Sequence, residues 1–382
     1  MSVDVTGARV EFEPKGSIPD LAAVLENLDH DPSVGSLVVF ASDANGFVPE
    51  QLDPVLAGIS KPVIGGIFPA VLHDARRHDR GTVVLALPFA LEIFETSDLS
   101  ALGDDTGTSC WAALADTPPP PPEATILFVD ALSGSVQAVM EQLYDELGID
   151  TRFIGGGAGS LSLQQAPCVF SNRGLRQEAA VLGLCREPLG VGVTHGWEAV
   201  GEPMQVTEAS GNRLRSVNWE PALDWYIRQV SDLSGNDFSS GDFFENARNH
   251  PLGILSLGGE VVVRDLLASE GTSLVCVSGI EPGAIVQILT GDTDSLLSAA
   301  QRCRHLSLAN LSDAGPVAGI VVDCISRALF LDRGLDMELA SLWCPDFPIA
   351  GALTIGEVAG DGVRAPYFHN KTTAVGCFGS RT

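Results

Sequence analysis

The sequence predicts an α/β protein: two modules of mixed β-sheet with flanking helices, built from repeated strand–helix–strand units. Three observations carry this. An apolar run, an acidic residue, an amphipathic segment, a second apolar run and a glycine turn recur in that order three times. Each copy is close to the roughly 30 residues that a βαβ crossover needs. The chain has 382 residues, 45% of them hydrophobic, enough to bury sizeable cores.

In the first copy the β-branched run Ser36–Phe40 leads into Ala41-Ser-Asp43, a helix-forming stretch around Pro49–Ile59, and Pro62-Val-Ile-Gly-Gly66. In the second, Ala124–Val129 and Asp130 precede a helical pattern of Val136, Val139, Met140, Leu143 and Leu147, closed by Phe153-Ile-Gly-Gly-Gly157. In the third, Gly319–Asp323 and Cys324-Ile-Ser-Arg327 precede Met337–Leu342 and Phe347-Pro-Ile-Ala-Gly351. Another apolar strand follows each copy, at Thr82–Leu87, Ala179–Leu184 and Thr373–Phe378. The run Thr117–Pro122 predicts an extended connector, because proline continues neither a helix nor a central strand. Trp219–Val230 has helical periodicity, with Pro221 suited to a first turn, and the polar Ser231–Asn249 predicts a loop. The main boundary therefore falls near 216–235, giving modules at 1–218 and 219–382.

Charge narrows the function classes. There are 22 basic and 49 acidic residues, a net charge of −27, and the lysines are Lys15, Lys61 and Lys371 alone. Such a chain repels phosphate backbones, so neither nucleic acid nor an anionic membrane is expected as a partner. Apolar runs such as Gly81–Leu87 are far too short to span a bilayer, and Met-Ser-Val-Asp-Val-Thr-Gly at the start is no signal peptide. The eight cysteines are scattered without a CxxC, which predicts reduced core thiols in a cytoplasmic protein rather than disulfides or a zinc site.

No strong catalytic motif is present. Gly155-Gly-Gly-Ala-Gly159 lacks dinucleotide-loop spacing and predicts a tight turn. His195 ends an apolar strand-like segment, Gly190–His195, before Gly196-Trp197; an imidazole there suits a metal, haem iron or a ligand carboxylate, or else a structural hydrogen bond. His369 has a comparable setting. The richest constellation is C-terminal. Asp323, Cys324 and Arg327 start just after a predicted strand, where α/β folds place ligand contacts. The planar fork of Arg327 matches a carboxylate, with Glu338 as its alternative partner. Thr354, Glu357 and Asn370 add polar groups beside glycine turns. Cys324, near Arg327, is the candidate nucleophile if its pKa is lowered.

In order and spacing, these stretches resemble the FIST family, a paired N- and C-terminal module of bacterial sensory and signal-transduction proteins. Leu37–Phe40, Val63–Gly66, Phe153–Gly159, Val193–Trp197 and Val206–Asn212 are similar to the N-terminal module. Pro251–Gly253, Val263-Arg264, Asp323–Arg327, Thr354–Glu357 and Phe368–Thr372 are similar to the C-terminal one. The resemblance implies a cytoplasmic, small-ligand-binding sensory module with amino-acid-like ligands, acting through a partner protein such as a kinase. Some members bind haem and sense nitric oxide through a histidine, which the resemblance maps to His195. Gly65–Ala70 departs from the family's Gly-Gly-x-x-x-Gly-Glu, leaving Thr354–Glu357 as the complete copy. Three readings follow: a ligand-binding sensor with a pocket between the modules at Arg327, Glu357 and Asn370; a haem-binding gas sensor using His195; and an enzyme using Cys324.

Overall fold

Each of the three strand–helix–strand units closes as a parallel crossover. In the computed structural model, which describes residues 7–100, 110–111, 114, 122–148, 150–234, 243–256, 259–311, 315–363 and 366–380, strand Ser36–Ser42 runs parallel to Val63–Phe68. Ala124–Asp130 runs parallel to Arg152–Ala158, and Pro316–Cys324 to Ile349–Thr354. These strands are covered on both faces, which is why they read as continuous apolar runs instead of alternating ones. The predicted periodicity of the second copy is a real helix, Val136–Leu147, burying Val136, Val139, Met140 and Leu143. The predicted strand after each unit, at Thr82–Leu87, Ala180–Cys185 and Thr373–Gly379, lies antiparallel against the unit's first strand.

The units interlock. Each builds a six-stranded sheet of one common order: a leading strand, the closing antiparallel strand, the two crossover strands, and a hairpin. The leading strands are Arg9–Glu13, Glu92–Thr96 and Leu189–Thr194. The hairpins come from elsewhere. The first unit's hairpin, Ala70–His73 with Arg76–His78, pairs with Ile349–Thr354 of the third sheet. The second unit's, Val169–Ser171 with Gly174–Arg176, pairs with Val63–Phe68 of the first. The third unit's, Glu357–Asp361 with Tyr367–His369, pairs with Arg152–Ala158 of the second. Every sheet is thus completed by a different unit, in a closed cycle of three.

The third unit carries an insertion. In the first unit the leading strand runs straight on to helix Ile18–Asp29, which Ser17 caps and Pro19 starts. In the third, residues 198–290 intervene before helix Thr293–Ala309 and form an eight-stranded sheet of their own. Helix Ala222–Ser234 packs on that sheet through Trp225, Tyr226 and Val230, in a separate core with Leu252, Leu266 and Ile288. The expected loop at Ser231–Asn249 is corrected at both ends, while its residues 235–242 lie outside the described residues. Ser231–Ser234 completes the helix, and Phe243–Asn249 forms another, anchored by the buried Phe243 and Ala247. Tertiary burial of these apolar side chains overrides the polar composition. The proline connector at 117–121 lies outside the described residues. All eight cysteines are free thiols.

Candidate functional site

A cleft of about 530 Å³ opens where the leading strand of the third unit ends and the insertion begins. Its walls are residues 193–198, Glu260 with Val261 and Val262 at the start of an inserted strand, Ser295, Ser298 and Arg302 on helix Thr293–Ala309, and the hairpin residues 359–361, Tyr367 and His369. The helix is fixed at this end by a capping box: Asp292 accepts from Ser295 N–H at 2.7 Å, while Ser295 Oγ accepts from Asp292 N–H at 3.1 Å. Thr194 Oγ1 donates to the Ala299 carbonyl at 2.7 Å and ties the strand to that helix.

Two imidazoles meet here. Trp197 N–H donates to His195 Nδ1 at 3.0 Å, which puts the proton of the neutral ring on Nε2. Burial, with Arg327 adding to it, pushes His195 down to about 4, and burial together with Arg264 pushes His369 down to about 3. Both rings are neutral at physiological pH. The Trp197 indole donates to the Lys371 carbonyl at 3.1 Å, and Lys371 Nζ sits 5.4 Å from that ring. Glu198, Asp361 and Arg302 bring both signs of charge to the rim.

The predicted polar constellation lies behind this cleft, not in it. Arg327 is fully buried: Nε donates to Glu338 Oε1 at 2.7 Å, Nη2 to the Leu296 carbonyl at 2.8 Å, and Nη1 to the His195 carbonyl. Its fork therefore takes a carboxylate of the chain and two backbone carbonyls at the cleft edge, and no ligand. Asp323 lies 3.7 Å from Arg327 Nε; burial, reinforced by Glu338, pushes its carboxyl well above the usual range. Thr354 Oγ1 donates to Glu357 Oε1 at 2.9 Å, and Thr372 N–H to Oε2 at 3.3 Å. Burial raises the Glu357 carboxyl well above its ordinary value too. Asn370 Oδ1 accepts from Ser278 Oγ at 3.3 Å, and its Nδ2 donates to the His369 carbonyl at 2.9 Å.

Two expectations need correction. Arg327, Glu357 and Asn370 do not line the cleft. Cys324 is no activated nucleophile: burial, then the Glu357 carboxylate, pushes its thiol well above an ordinary cysteine, and it is 3% exposed. Haem at His195 fits poorly. Nδ1 already accepts from Trp197 N–H, which leaves the proton on Nε2 and no free lone pair on the ring for an iron. Among the described residues no cluster of three or more histidine, cysteine or acidic side chains is placed to hold a metal.

Sequence reasoning missed Arg302, Glu198 and Asp361. Arg302 sits on an ordinary amphipathic helix and carries no local signal. Tyr367 and Trp197 were visible only as neighbours of the two histidines.

Fold and cleft together define an α/β protein of three cyclically interlocked crossover units, with a cleft beside an inserted sheet. The family model of the FIST N domain matches residues 36–220, and that of the FIST C domain residues 222–360. The chain belongs to the FIST family, whose domains are associated with sensory and signal-transduction proteins. The junction between the two matches falls inside the inserted sheet. No curated protein matches the chain. Among the described residues no helix is long and apolar enough to cross a membrane.

Proposed function

We propose that this chain is a cytoplasmic sensory protein that holds a small amino-acid-like ligand in the cleft and reports occupancy to a separate signalling partner, such as a kinase. The observation that carries the reading is the mixed charge of the cleft lining: Arg302 on the helix side, Glu198, Glu260 and Asp361 on the sheet side, together with two neutral imidazoles. A guanidinium takes a carboxylate in a bidentate fork, and the acidic side chains suit an ammonium group. A cleft of this size belongs in the usual range for small-molecule sites. Arg327, Asp323 and Glu338 then act as positioning residues, because Arg327 holds the His195 and Leu296 carbonyls that shape the rim.

The test is thermal stabilisation by a panel of free amino acids. A ligand at about 100 times its Kd adds roughly 2.7 kcal/mol. We expect at least one amino acid to raise Tm, and Arg302→Ala to remove that rise with little change in the ligand-free Tm. An Arg302→Ala protein stabilised as strongly as the parent would reject the assignment.

A further inference from the structure

Sheet register aligns the three units residue by residue. On the closing strands, Thr82, Ala180 and Thr373 oppose Ala41, Val129 and Asp323 at one common level. One step along, the leading strands set Phe12 opposite Val83, Glu95 opposite Val181, and Val193 opposite Ala374. Phe12, Glu95 and Val193 are therefore equivalent positions.

The hairpins align in the same way. Leu72, Phe170 and Val358 oppose the glycines Gly351, Gly65 and Gly155. Their neighbours Val71, Val169 and Glu357 pair in turn with His78, Arg176 and His369. Each unit thus faces one leading-strand residue toward one hairpin residue of its own.

The three positions are filled differently. In the first unit the Phe12 ring lies 4.4 Å from the His78 ring and stacks on His73 at 5.0 Å. In the second, Glu95 lies within reach of Arg173 at 4.0 Å and in the field of Arg176. In the third, Val193 and His369 both border the cleft. A ring fills one position, charges fill another, and the third is open because valine carries no ring to fill it.

We infer that the cleft takes a ligand bearing a planar aromatic ring, seated against His369 as Phe12 is seated against His78, with Val193 as the residue that determines this specificity. The inference rests on the small-ligand reading above and names the class of that ligand. One further ring supports it. Tyr367 lines the same cleft and meets His369 edge-on, with centroids 6.0 Å apart at 72°. Edge-to-face and offset packing are the arrangements in which aromatic rings attract beyond simple area burial. Neutral His369 accepts such a ring without the cost of burying an imidazolium.

Calorimetry on the full chain tests this with L-phenylalanine and L-tryptophan against L-leucine and L-isoleucine. The aromatic pair should bind at least about tenfold more tightly. Val193→Phe, which restores the ring of the first unit, should weaken aromatic binding by more than about tenfold while the melt stays cooperative. Val193→Met, a milder filling, should fall between the two and stands in if Val193→Phe does not fold. Equal binding of leucine and phenylalanine, or aromatic binding untouched in both variants, overturns the inference and leaves the small-ligand reading standing. Binding of neither class overturns the inference, and the small-ligand reading falls with it only if no amino acid of the wider panel raises Tm.

Discussion

Arg327 shows how a residue type that suits a ligand is used up by its own fold. Its guanidinium spans the end of the leading strand, the first turn of helix Thr293–Ala309, and Glu338 on helix Leu335–Leu342. Removing one partner of a buried pair leaves an uncompensated charge, which costs more than the pair itself is worth. Arg327→Met should therefore lower the free energy of unfolding by about 3–5 kcal/mol in urea titration. A loss under about 1 kcal/mol would show that Glu338 is not held as a charge there. The sequence exposed Arg327 and its motif. It also offered Glu338 as the alternative partner, which the structure takes up; it did not expose the two carbonyls, because His195 and Leu296 reach Arg327 only after separate segments have packed together. The fully buried Lys371 is a second case: its ammonium is held by Ser326 Oγ at 2.7 Å and Asp265 Oδ1 at 3.3 Å, groups far away along the chain.

At the scale of elements, the crossovers impose one requirement three times over. Gly65, Gly155 and Gly351 sit at one register in the second crossover strand of each unit, opposite Val39, Leu127 and Val321. A Cβ at any of the three would collide with the carbonyl oxygen of that opposite residue, and Gly155 also has φ +154°. The glycines that closed each apolar run in the sequence are thus required by close approach of two backbones within a sheet. Gly155→Ala and Gly351→Ala should each cost about 3 kcal/mol or more. Gly315→Ala, with open space around it, should stay within about 0.5 kcal/mol. Equal Tm values for all three variants would contradict this account. Strand and helix assignments within the units were legible because each depends on local periodicity. The helices at 222–234 and 243–249 were legible only in part: packing against the inserted sheet decides them, and the chain between their apolar anchors is polar.

At the scale of the molecule, the cyclic exchange of hairpins makes the two sequence modules inseparable in space. We propose the division near residue 218 as a boundary of sequence modules. The third sheet takes Leu189–Thr194 and Ala70–His78 from one side of it, and the second sheet takes Glu357–His369 from the other. A chain ending near residue 218 leaves the second sheet without its hairpin and exposes an unpaired edge. Separately produced halves should each lack a cooperative melt and aggregate, and refolding them together should restore one transition. A cooperative melt from residues 1–218 alone would show that the exchange is dispensable. The sequence by itself determined the class of fold, the three repeated units, a net charge of −27, and the family. All of these reside in composition, in local period, or in the order of short motifs. Tertiary structure alone decided which hairpin completes which sheet, that Arg327 faces inward, and that Val193, Arg302 and His369 border one cleft. Contacts between distant segments leave no periodic trace in a single sequence, and at equivalent positions of the three units only packing separates a filled site from an open one.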